Sequence, residues 1–205
     1  MSEPTHPCRL YLLIAHDAGT ETLAAFEQAL NAGDVGCAAL RCAPDGTADR
    51  ALAEKLLAIA AAHDVAFLVE SDVACAKQTG ADGVHVMGDE GLYEAARDAL
   101  GEDAIVGAVC GLSRHAALTL AENGADYIAM AGDAGPRKEM IAWWAEIVEV
   151  PSVAWTAETL EEARALARAG ADFVAVDETL WRAGGNPGET VAALNNAIGT
   201  ERNAA

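Results

Sequence analysis

Gly80 to Val86 reads GADGVHV, Gly124 to Met130 reads GADYIAM and Gly170 to Val176 reads GADFVAV, with a weaker fourth copy, AGDVGCAAL, at Ala32 to Leu40. The glycines at 33, 80, 124 and 170 stand 47, 44 and 46 residues apart. A period near 45 residues fits a solenoid repeat, and it also fits two consecutive strand-plus-helix units. The residues between the copies decide. Each copy opens with Gly at the end of an Ala- and Leu-rich stretch, where a left-handed residue stops a helix, and runs straight into Val, Ile and Ala. Further apolar runs of strand length lie between: CRLYLLIAH (8–16), VAFLVES (65–71), AIVGAVC (104–110) and VPSVAWT (150–156).

Four phrases and four intervening runs make eight strands, and the segments joining them carry apolar residues at helical spacing with charges opposite. Strict alternation of strand and helix requires parallel strands with right-handed crossovers. Eight such units in 205 residues predict an α/β fold of the (β/α)8 TIM-barrel type, one domain spanning residues 1–205. A doubly wound open sheet is the alternative; the count of units and the lack of a Gly-rich fingerprint after the first strand stand against it. The repeated Asp falls just before a strand, at what becomes the N-terminal face, and is expected to cap a turn rather than to catalyse.

Composition narrows the function classes. The chain is 52% hydrophobic, enough for one full core, and nothing reads as a linker. Its formal charge of −19, with 13 Lys and Arg, opposes binding to nucleic acid or to anionic membranes. No run approaches a membrane span, and MSEPTHPCRL lacks the basic start and apolar centre of a secretion signal, so a cytoplasmic location is expected. The five cysteines form no CxxC pair and are expected to be reduced thiols. Trp143 and Trp144 on one helix point to core packing or to a homo-oligomer contact.

On such a barrel the chemistry belongs at the C-terminal ends of the strands. That rule collects Asp17, Arg41, Cys42, Glu70, Asp72, His85, Asp89, Glu90, Cys110, Gly132, Asp133, Arg137, Lys138, Trp155, Thr156, Asp177 and Glu178 around one rim. Arg41 suits a substrate anion or an ion pair with Glu70. His85 suits a catalytic base or a satisfied interior histidine. Asp89 and Glu90 open a helix, where capping competes with metal binding. Arg137 and Lys138 are expected in a solvated first helical turn.

Taken in order, LYLLIAHD, AALRC, FLVESDVACAKQTGADGVHV, IVGAVCGLSRHAALTLAENGADYIAMAG, VPSVAW and AGADFVAVDETLW resemble the thiamine-phosphate synthase family, whose thiazole-tautomerase (TenI-like) relatives share its fold. The resemblance implies a transferase that joins a pyrimidine pyrophosphate to a thiazole phosphate with help from Mg²⁺ and releases pyrophosphate. It implies catalytic roles for Arg41 and His85. Contacts to a small phosphorylated or heterocyclic ligand are implied from Arg41, Cys110, Gly132, Trp155 and Thr156, and metal contacts from Asp89, Glu90 and Glu70. The chain departs from the family pattern in several places. Ala43 stands where the family has Lys, Glu70-Ser71-Asp72 stands for Asn-Asp-Arg, and Trp155-Thr156 stands for a Gly-Gly turn. Three readings follow: a divergent thiamine-phosphate synthase, a family member with other small-molecule chemistry or binding, and an inactive barrel acting as a partner protein.

Overall fold

The computed structural model describes residues 7–88 and 90–199. Its strands are β1 Arg9–Ile14, β2 Val35–Leu40, β3 Ala66–Glu70, β4 Gly83–Val86, β5 Ile105–Gly111, β6 Ile128–Met130, β7 Ser152–Ala157 and β8 Phe173–Asp177. They pair in parallel in sequence order and close when β8 pairs with β1, Arg9 against Phe173 and Leu13 against Asp177. Closure excludes the open sheet. The helices are α1 Thr20–Ala32, α2 Arg50–Ala62, α3 Val73–Thr79, α4 Glu90–Leu100, α5 Arg114–Glu122, α6 Ala134–Ile147, α7 Leu160–Arg168, a short α8 Glu178–Trp181 and α9 Pro187–Gly199.

Side-chain alternation along each strand builds two cores. On β1, Leu10, Leu12 and Ile14 face the helices, while Tyr11 and Leu13 face the barrel axis. Four of the helices start where a side chain satisfies a free N–H: Asp49 accepts from Leu52, Asp72 from Cys75, Ser113 from Ala116 and Thr159 from Glu162. The tryptophans of α6 pack against the body. Trp144 is buried and donates to the Val150 carbonyl at 2.7 Å, and half-buried Trp143 lies under the Arg114 guanidinium.

The repeated phrase is a structural joint. Gly80, Gly124 and Gly170 have φ of +74°, +90° and +106°, the left-handed conformation that ends a helix cheaply only in glycine. The Asp that follows each one accepts the backbone N–H of the preceding strand's first turn. Asp82 takes Phe67 at 2.7 Å, Asp126 takes Val106 at 2.7 Å and Asp172 takes Ser152 at 2.9 Å. Each even-numbered strand is thereby stitched to its odd-numbered predecessor, which is why the period spans two strand-plus-helix units.

The fourth copy differs. It lacks the Ala between Gly and Asp, the chain extends at once, and Gly33 sits at φ −159°, not left-handed. Its Asp34 ties instead to the Arg9 side chain, through Nε at 2.9 Å and Nη2 at 2.7 Å.

Candidate active site

A column of aromatic and polar side chains runs along the barrel axis among aliphatic neighbours. His85 on β4 is fully buried, and its imidazole stacks on the Trp155 indole with ring centres 3.8 Å apart and planes 12° apart. His85 Nδ1 meets the Tyr127 hydroxyl at 2.8 Å, and that hydroxyl meets the Tyr11 hydroxyl at 3.1 Å. Glycine makes this possible. Gly107 sits beside His85 on β5, and a Cβ there would fall 2.0 Å from the Tyr127 ring. Tyr11 also packs edge-on against Trp155.

Burial decides the charge of this column. It lowers His85 from 6.5 to about 3, with the nearby Arg41 guanidinium opposing the imidazolium further. His85 is therefore a neutral imidazole at physiological pH. Burial likewise pushes the Tyr11 and Tyr127 hydroxyls well above their ordinary range.

Above the column lies the charged mouth. Arg41 follows β2 with its backbone N–H on the Ile14 carbonyl, and its guanidinium sits between two strand ends: Nε is 3.6 Å from Glu70 Oε2 and Nη1 is 3.2 Å from Asp177 Oδ1. Glu70 is pushed upward first by burial and held back by Arg41. Arg41 Nε, His85 Nε2 and Trp155 Nε1 are buried and make no hydrogen bond. Buried polar atoms without partners are uncommon in folded proteins, and these three lie toward the end of the barrel where ligands bind.

The other candidates land in different places. Cys110 belongs to the core between sheet and helices, because Val109 takes the inward position of β5; its thiol points away from the mouth and is raised to about 12. Gly132 is exposed on the loop after β6 with φ +143°. Thr156 carries φ +56°, a conformation that costs a β-branched residue strain, at the turn where the family has glycine. Glu90 turns its carboxylate to the Asn123 side chain at 2.7 Å, away from Glu70. Asp89 lies outside the described residues.

Arg137 corrects the expectation of a solvated helix start. It is buried, with Nη1 on the Trp155 and Thr156 carbonyls and Nη2 on the Glu162 carboxylate. A guanidinium that ties the end of β7 to Glu162 of α7 has both terminal nitrogens engaged within the chain, and only its Nε lacks a partner. Tyr11, Tyr127 and this role of Arg137 were missed in the sequence. For Tyr127 the available signal was a polar ring just before β6, in GADYIAM, where the sister copies have Gly or Phe.

The Mg²⁺ implied by the resemblance needs hard oxygen donors. No three His, Cys, Asp or Glu side chains converge to hold a metal among the described residues. Glu70 and Asp177 do face the mouth, and Mg²⁺ is commonly held by one or two carboxylates, several waters and the substrate's own phosphates. The pair fits that second kind of site.

Known proteins match this arrangement along nearly the whole chain. Residues 10–180 match the family described as Thiamine monophosphate synthase. A thiamine-phosphate synthase from Rhodospirillum centenum is 42% identical, covering 93% of this chain and 98% of the relative. One from Erythrobacter litoralis is 39% identical over 88% and 92%. A thiamine phosphate pyrophosphorylase structure from Pyrococcus furiosus superposes with a TM-score of 0.77 over 93% of this chain and 95% of its own, at 22% identity, which supports the fold. With a closed barrel, an arginine at the end of β2 and a buried histidine in β4 all falling inside the matched residues, the chain belongs to the thiamine monophosphate synthase family.

Proposed function

We propose that the protein joins a pyrimidine pyrophosphate to a thiazole phosphate, releasing pyrophosphate, in the mouth formed by Arg41, Glu70, His85, Trp155 and Asp177. The observation that carries this reading is the Arg41 guanidinium, held at the C-terminal mouth by Glu70 and Asp177, its buried Nε 3.6 Å from Glu70 and without a hydrogen bond.

Departure of pyrophosphate from a benzylic-type carbon builds negative charge on the leaving group, and a preplaced cation in a partly desolvated mouth lowers that cost. Arg41 supplies the cation. His85 and Trp155 form a flat, stacked floor beneath it. A neutral imidazole there can exchange a hydrogen bond with a heterocycle without placing a second positive charge beside the developing cation. Glu70 and Asp177 leave the mouth with one net negative charge against Arg41, so an anionic substrate needs a compensating cation. Mg²⁺ held through Glu70 and Asp177 would supply that charge. Arg137 acts one step away by fixing the carbonyls of Trp155 and Thr156, and so the position of the indole.

The test is isothermal titration of the full chain with the pyrimidine pyrophosphate, with and without Mg²⁺, followed by an assay for thiamine phosphate. Mg²⁺-dependent binding that is lost in Arg41→Ala, together with product from the unaltered chain, is expected. Product formed equally well by Arg41→Ala would overturn the assignment.

A further inference from the structure

A cavity of about 250 Å³ opens at the N-terminal face of the barrel, the end opposite Arg41. Its rim includes Ala66, Ile105 and Phe173, the first residues of β3, β5 and β8, and its inner wall is Tyr11, Cys37 and Tyr127. The interior of a (β/α)8 barrel is ordinarily filled by layers of side chains. The lowest layer here is short of volume at Ala66, which brings only a methyl group, while Gly36 makes room for the Phe173 ring beside it. Gly36 is the extra residue of a bulge, since Leu10 pairs with Val35 and Tyr11 already pairs with Cys37.

The chemistry of the walls selects the occupant. The charged groups nearest the opening are already engaged. Arg9 is bound to Asp34 and to the Val35 carbonyl, and Asp126 accepts from the Val106 N–H and from Arg97. The inner wall stays neutral, with burial raising the Cys37 thiol to about 12 and both tyrosines well above their usual values. An ionic ligand would have to displace a partner of Arg9 or Asp126. The rings of Tyr11, Tyr127 and Phe173 do offer faces and edges to another ring.

We infer that this cavity binds a neutral, planar aromatic molecule of one or two fused rings, at a site separate from the mouth. An apolar cavity of about 150 Å³ suffices for benzene, so the larger volume admits a bicycle. A ring seated there rests on Tyr127, whose hydroxyl holds His85 Nδ1, so occupancy of the floor reaches the mouth through a single side chain.

Indole is the probe, titrated into the isotopically labelled full chain and followed by amide chemical shifts. Saturable binding is expected, with shifts centred on Gly36, Ala66, Ile105, Tyr127 and Phe173. Ala66→Leu, which fills the opening, should weaken it by at least about tenfold, and Arg41→Ala, at the other end, should leave it within about twofold. No saturation up to the solubility of indole, shifts centred on the mouth, or undiminished binding by Ala66→Leu would each overturn the site. Should Ala66→Leu fail to fold, the shift map of the unaltered chain decides the matter alone.

Discussion

Asp82, Asp126 and Asp172 at the N-terminal face each accept a strand N–H at 2.9 Å or less, whereas Glu70 and Asp177 at the opposite face stand 3.6 and 3.2 Å from one shared guanidinium. The same kind of side chain binds backbone N–H groups in the first set and a guanidinium in the second. The N-terminal carboxylates have short, local partners, so their removal is felt as lost stability. The mouth carboxylates, with the nearby unbonded nitrogens of Arg41, His85 and Trp155, hold charge in readiness for something outside the chain. Three unbonded ring and guanidinium nitrogens thus gather near the mouth, whereas the three repeated Asp at the supporting end are each satisfied by a strand N–H.

Four substitutions bear on this contrast. The largest effect is expected at the mouth: Arg41→Ala should lower kcat/KM for thiamine-phosphate formation by about a thousandfold, roughly 4 kcal/mol, while leaving the urea midpoint nearly unchanged. A large stability loss with normal turnover would erase the distinction between the two ends.

Next is the acid response. His85 titrates near 6.5 unfolded and about 3 folded, so between those values the unfolded chain binds the extra proton and stability falls as pH falls. The loss should amount to on the order of a few kcal/mol by pH 3. Glu70, raised by burial, acts in the opposite direction, so the measurement is the difference between the chain and His85→Gln in chemical denaturation at pH 7 and pH 4. A difference independent of pH would mean that the column is not as closed as its burial indicates.

At the supporting end, Asp172→Ala strands the Ser152 N–H and hydroxyl and should cost about 1–3 kcal/mol of unfolding free energy, with turnover per folded molecule unchanged. The smallest effect belongs to the strained turn of the mouth. Thr156→Gly should relieve the left-handed conformation at φ +56° and change stability by less than about 1 kcal/mol, the greater freedom of glycine when unfolded offsetting part of the gain. A loss above 2 kcal/mol in denaturation would show instead that the Thr156 hydroxyl, on the Trp155 carbonyl at 2.8 Å, holds the turn.

The fold was readable because its signals are local and repeated. Gly80, Gly124 and Gly170 stop helices through their own backbone freedom, and each following Asp reaches an N–H of the strand just before it. Arg41 and Glu70 were readable as rim residues from their places at strand ends, and their pairing was among the readings open to Arg41. Cys110 was misplaced because one residue of strand parity separates the mouth from the helix-facing core, and parity depends on the register shift between Val109 and Gly111.

The chain's pattern of Gly, Asp and alternating apolar runs therefore determined eight strands, their parallel order and the end at which chemistry gathers, since each rests on contacts between near neighbours in sequence. Tertiary structure alone decided that His85 stacks on Trp155, 70 residues away, that Tyr127 holds it from below, and that Arg137 turns inward. Those contacts form only when the barrel closes and brings distant strands to a common axis, and no local propensity records which side chains will meet there.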